Sequence, residues 1–133
     1  MIFYKILIFP AFLAVLLSPF ISSSQTVIVG FYNCENFYDT IDQHNIIDEE
    51  FTPQSKKTYS QLKFQNKINH LASVINGMGQ LETAKGIALL GVAEIENKMV
   101  LQQLVESPLL KKYHLKFIHF DSKDARGIDC LLY

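Results

Sequence analysis

The sequence predicts an α/β (α+β) layered sandwich. Two observations carry that prediction. Apolar, β-branched runs at 26–32 and 86–93 are each followed by a segment of helical periodicity, and two further strand-like stretches, 115–120 and 128–133, follow in succession. Strands that alternate with helices and then run consecutively place helices against a sheet.

Thr26-Val27-Ile28-Val29-Gly30-Phe31-Tyr32 predicts the first strand. Its nearly continuous apolarity predicts burial on both faces, as for an inner strand. Asn33 to Asp39 predicts a polar turn. Thr40 to Lys57 has no clean period, carries Asp42, Asp48, Glu49, Glu50 and Pro53, and predicts a long, solvated acidic loop. From Thr58 the period becomes helical. Leu62, Phe64, Ile68, Leu71, Val74 and Ile75 recur on one side, and Lys63, Gln65, Asn66, Lys67 and Asn69 fill the other. Thr58 or Ser60 is placed to cap this helix, and Gly77 to stop it. Residues 78–85 predict a linker.

Gly86 to Ala93 predicts a second buried strand that delivers Glu94 at its carboxyl end. Asn97 is placed to cap a helix over 98–106, with Val100, Leu101, Leu104 and Val105 inward and Pro108 beyond its end. Leu115 to Phe120 alternates and predicts a third strand, 121–127 a charged turn, and Ile128 onward a fourth strand. No internal repeat or low-complexity segment interrupts this order.

The first residues predict a compartment. Lys5 is the only charged side chain before Glu35, Ile6 to Leu17 is almost wholly apolar, and Ser22-Ser23-Ser24-Gln25 follow. A basic start, an apolar core and a small-residue exit make a secretory signal peptide, about 1–25, which predicts an exported, periplasmic or extracellular protein. Pro10, Ser18 and Pro19 interrupt the stretch, which barely reaches membrane-spanning length. Residues 26–133 then suit one small domain. A net charge of −1 implies no bulk attraction to nucleic acid, so a bound nucleic acid must meet a local site. An exported chain permits a Cys34–Cys130 disulfide. Both cysteines sit in apolar runs, where a free cysteine behaves as a small hydrophobe, and the pairing stays open.

Three polar clusters follow strands: Asn33 to Asn36, Glu94 to Asn97, and Asp121 to Gly127. In layered α/β folds, sites collect at the carboxyl ends of strands. If the first two strands are neighbours, Asn33 and Glu94 face one point. An amide oxygen and a carboxylate make hard-oxygen ligation suited to Mg²⁺ or Mn²⁺. Each signal alone is also that of an ordinary turn or cap.

Together the clusters say more. Tyr32-Asn33-Cys34-Glu35-Asn36-Phe37-Tyr38-Asp39, Asp48-Glu49-Glu50-Phe51-Thr52-Pro53, Gly91-Val92-Ala93-Glu94-Ile95-Glu96-Asn97 and Asp121-Ser122-Lys123-Asp124-Ala125-Arg126-Gly127-Ile128-Asp129 occur in this order. The pattern resembles the endonuclease/exonuclease/phosphatase superfamily, the fold of DNase I. It is most similar to exported bacterial members whose first motif reads Asn-Val-Glu-Asn-Leu-Phe-Asp. The resemblance covers essentially all of 26–133. It implies the N-terminal half of a DNase I-like four-layer α/β/β/α fold. It also implies a metal-dependent phosphodiester hydrolase, with an exported endonuclease as the leading reading. A phosphatase, a lipid phosphodiesterase of the same superfamily, or a non-catalytic remnant is the alternative.

The resemblance assigns roles by position. Asn33 matches the asparagine that ends the family's first strand, near metal and scissile phosphate. Glu94 matches the metal-ligating glutamate of the second motif, with Mg²⁺ or Mn²⁺ as cofactor and Asn33 beside it. Arg126 lies where members contact substrate phosphate. Glu35 and Asp129 are expected to support the site from behind. Cys34 stands where valine is usual, a packing change. The family's general base is a histidine held by an aspartate in a Ser-Asp-His-like motif, and further ligands come from Gly-Asp-x-Asn. Neither string occurs here. His44, His70, His114 and His119 match neither motif and read as structural or solvent-facing. The expectation is an N-terminal fragment, inactive alone. A phosphodiester, nucleic acid foremost, is the expected partner. The membrane enters only during export, and no obligate protein partner is expected.

Overall fold

The computed structural model describes residues 25–132, with side chains through Asp129. The expected signal peptide lies outside the described residues except for Gln25. Three strands, β1 (Val29–Phe37), β2 (Leu89–Ile95) and β3 (Asp129–Leu132), and two helices, α1 (Gln61–Gly77) and α2 (Lys98–Val105), make the framework. Short 3-10 turns occur at Glu49–Phe51 and Lys111–Tyr113. Among the described residues, no helix is long and apolar enough to cross a membrane.

The sheet order is β1-β2-β3. β1 and β2 run parallel, from Val29 opposite Leu89 to Phe37 opposite Ile95. β3 returns antiparallel beside β2. The parallel pair needs a crossover, and α1 supplies it. Ser60 caps α1 by accepting the Lys63 N–H, and Asn97 Oδ1 accepts the Met99 and Val100 N–H groups at the start of α2. Phe64, Ile68, Leu71, Ala72 and Ile75 form the inward stripe of α1, while Leu62 is exposed. They pack with Cys34, Phe37, Val92 and Ile95 of the sheet and with Val100, Leu101 and Leu104 of α2.

Both helices therefore cover one face of the sheet. The expected burial of β1 on both faces is corrected. Val29 is 61% and Phe31 66% exposed, and β1 alternates like a half-covered strand. The apolar run reflects two hydrophobic faces, only one of which is covered among the described residues.

Two further expectations change. Leu115 to Phe120 is not a strand, although its burial alternates. Alternation fixes which face a residue takes, whereas a ladder needs a partner, and β3 occupies the place beside β2. The acidic loop is not simply solvated. Asp39 is 5% and Asp48 2% exposed. Phe51 stacks on Tyr38 at 4.0 Å and meets Tyr59 edge-on at 5.6 Å, which fastens the loop to the end of β1.

Candidate metal and phosphate site

The predicted polar turn at Asn33–Asp39 is instead an irregular continuation of β1. Between the pairs Asn33–Ala93 and Phe37–Ile95, β1 spends four residues where β2 spends two. On the other side of β2, Ala93 faces Cys130 and Ile95 faces Asp129, so Glu94 is the extra residue there. Both irregularities fall at one level of the sheet. They leave Glu35 (φ 54°), Asn36 (φ 58°) and Glu94 (φ 58°) in left-handed backbone. None is glycine, and such conformations cost about 1–3 kcal/mol each unless the surroundings impose them. Bulges of this kind re-aim side chains beside functional sites.

The imposing groups are visible. Asn33 Nδ2 donates to Glu94 Oε1 at 2.9 Å, and the Asn36 N–H donates to Glu94 Oε2 at 2.9 Å. Asn33 Oδ1 accepts the Glu35 N–H at 2.7 Å. This network fixes the amide orientation, since the carboxylate needs the nitrogen and the N–H needs the oxygen. Asn33 thus aims Glu94 while tying down the β1 bulge. Lys67 of α1 donates to the Glu35 carbonyl at 3.3 Å. The Glu35 side chain is exposed.

Glu94 is half-buried, and each of its oxygens keeps a lone pair beyond the one N–H it accepts. A hard carboxylate with a water-accessible edge fits Mg²⁺, which keeps several waters and binds through one or two carboxylates. The cluster of three convergent histidine or acidic ligands found among the described residues lies elsewhere and does not include Glu94.

Arg126 sits on the 121–128 turn. Its guanidinium binds Asp124 through Nε at 3.1 Å and Nη2 at 2.8 Å, and Asp124 Oδ1 also accepts the Arg126 N–H. That partner raises the arginine pKa, with a smaller contribution from Glu94, and holds the half-buried Asp124 carboxyl below its usual range. Tyr38 Oη donates to the Arg126 carbonyl at 2.8 Å, and the Ile47 N–H to the Ala125 carbonyl at 3.1 Å, so the residue following β1 and the acidic loop both hold this turn. Gly127 has φ 64°, and a Cβ there would lie 2.7 Å from Ile46 Cγ2.

Asp129 is buried (4% exposed), with Oδ1 accepting the Ser122 N–H at 2.6 Å and Oδ2 2.8 Å from His119 Nε2. The burial of His119 was missed as a feature, because a lone histidine in an alternating run carries no sign of its partner. Glu96 was given no role of its own by the sequence. It is buried and accepts the Asp39 N–H and the Gln43 amide, both at 2.6 Å. Cys34 is a free, buried thiol pushed up to about 12 by burial, and the side chain of Cys130 lies outside the described residues.

A parallel strand pair that presents a braced carboxylate at its irregular carboxyl end is the arrangement in which layered α/β domains place their ligand sites. The Endonuclease/Exonuclease/phosphatase family matches residues 28–133, and the chain belongs to that family. Its members are generally hydrolytic and typically use a divalent metal. No curated protein and no solved structure shows a significant match.

Proposed function

We propose that the protein is an exported, Mg²⁺- or Mn²⁺-dependent phosphodiesterase acting on nucleic acid, and that these residues supply one half of its active site. The observation that carries this reading is Glu94, held at the carboxyl end of β2 by Asn33 and the Asn36 N–H. Glu94 holds the divalent ion, which when bound supplies charge stabilisation at the phosphoryl and leaving oxygens. Asn33 fixes the carboxylate and orients the phosphate. Arg126 offers a planar cation to the developing negative charge. Asp129 acts from behind by holding Ser122 at the start of the arginine turn, and Glu35 supports the β1 bulge through its backbone N–H and carbonyl.

Ser-Asp-His and Gly-Asp-x-Asn, the strings expected to carry the general base and the remaining ligands, do not occur in these 133 residues, and we propose that those groups lie on a continuation of the chain. Loss of a general base alone costs about 10²- to 10⁴-fold in rate, so these residues alone turn over little. Two measurements test the proposal. The reading frame downstream of Tyr133 should continue into both motifs. The whole gene product should nick plasmid DNA with Mg²⁺, stop in EDTA, and lose activity on Glu94→Gln. Activity that persists in EDTA defeats the metal assignment, and preference for phospholipid headgroups or phosphomonoesters moves the substrate to the alternative classes.

A further inference from the structure

His119, Asp121 and Asp129 meet away from Glu94's own ligand sphere. Each offers one ligand atom, and these atoms all lie within 4.8 Å of one another. The His119 side chain is 7% exposed, yet its Nε2 has no hydrogen-bond partner. It nevertheless sits 2.8 Å from Asp129 Oδ2, so its N–H does not point along that line. Asp129, 4% exposed, has only one oxygen bonded to a backbone N–H, the Ser122 amide on Oδ1.

A ring nitrogen and a carboxylate oxygen this close and this buried need a positive charge at the ring, supplied either by the imidazolium proton or by a shared metal ion. Two ligands at about 2.1 Å from one tetrahedral ion are about 3.4 Å apart, so the 2.8 Å gap seen here opens by about half an ångström to seat one. Nδ1 of the same ring is 3.6 Å from Asp121 Oδ1, and Asp121 is 94% exposed. One ion takes one ring nitrogen, so the exposed Asp121 carboxylate must swing from Nδ1 toward the Nε2 side to close the third position.

We propose that His119, Asp129 and Asp121 form a second divalent-cation site, separate from Glu94, that takes a first-row transition ion. Imidazole with two carboxylates and one position open to water suits Zn²⁺ better than Mg²⁺. The ion fastens His119 and Asp121 to Asp129 at the start of β3. Ser122 to Ile128 is the loop between these anchors, and it carries Arg126. The site therefore sets where the arginine turn begins and ends.

Calorimetric titration of the apo protein with Zn²⁺ tests this. One Zn²⁺ should bind per chain at this site, and binding should persist in Glu94→Gln. Asp121→Asn changes an exposed group and should weaken that event by tenfold or more. His119→Gln should abolish it, with circular dichroism checking that the fold is retained. Addition of Zn²⁺ should also shift the His119 ring nitrogens in ¹⁵N spectra. Absence of Zn²⁺ binding, wild-type binding by Asp121→Asn or a folded His119→Gln, or loss of the event in Glu94→Gln overturns the proposal. The Glu94 assignment stands or falls separately, on the EDTA and Glu94→Gln activity results.

Discussion

Asn33 and Glu94, 61 positions apart in the chain, touch directly: the amide of Asn33 donates to the Glu94 carboxylate at 2.9 Å. The same amide accepts the Glu35 N–H, so a single side chain links the β1 bulge to the carboxylate on β2. Glu94 occupies a left-handed backbone conformation that its own residue type does not favour. Its aim thus depends on partners from β1 and not on local preference.

Asn33→Ala should expose that dependence. Both hydrogen bonds vanish, which costs about 1 kcal/mol of stability by urea denaturation. Affinity for Mn²⁺ at Glu94 should fall by about 10- to 100-fold, the usual effect of removing the group that orients a ligand. Paramagnetic titration with Mn²⁺ measures it. Unchanged affinity would mean that the Asn36 N–H alone positions the carboxylate.

Gly127→Ala should destabilise the protein by about 1–3 kcal/mol, since alanine must take positive φ while its Cβ meets Ile46. Adding Ile46→Ala should recover only part of the loss, because it removes the steric conflict and leaves the backbone strain. Full recovery in thermal melts would show that the conformation itself costs little.

Phe31→Lys should leave stability within about 0.5 kcal/mol, as expected for an exposed position. Phe31 is 66% exposed on the open face of the sheet, near Val29. The lysine should lower self-association measured by light scattering, because it breaks an uncovered apolar surface. Destabilisation by several kcal/mol would mean that this face is covered.

Much of the frame was legible because it rests on local chemistry. Ser60 and Asn97 cap the helices that their positions predict, and Glu94 leaves β2 at the level of Asn33 because two apolar runs pair in parallel. The bulges were not legible. No glycine marks Glu35, Asn36 or Glu94, and the hydrogen bonds that hold them come from distant residues. His119 and Glu96 escaped for the same reason. Asp129 and Gln43 reach them only after the chain has turned back. Periodicity gave the faces of 115–120 correctly and its pairing wrongly, since a period reports on one strand while a ladder needs two.

Glu96 should give the protein a pH dependence with a definite sign. Burial pushes its carboxyl up to about 7 from an ordinary 4.5, and Asp39 and Asp48 add repulsion, while the Asp39 N–H and the Gln43 amide pull it down. Tyr38 and Tyr59, also facing this carboxyl, are both raised to about 12, chiefly by burial, and stay neutral across this range. Between pH 4.5 and about 7 the folded protein keeps a proton that the unfolded chain has lost. The folded state then binds more protons, so this group's contribution is full below pH 4.5 and declines as pH rises through about 7. Glu96→Gln removes that slope. It also leaves one of two donors facing an amide N–H, which costs about 1–3 kcal/mol at acid pH. Urea midpoints of both proteins from mildly acidic to mildly alkaline pH measure the difference. The gap between wild type and variant should narrow as pH rises, and a constant gap would show that Glu96 is already ionised at the acid end.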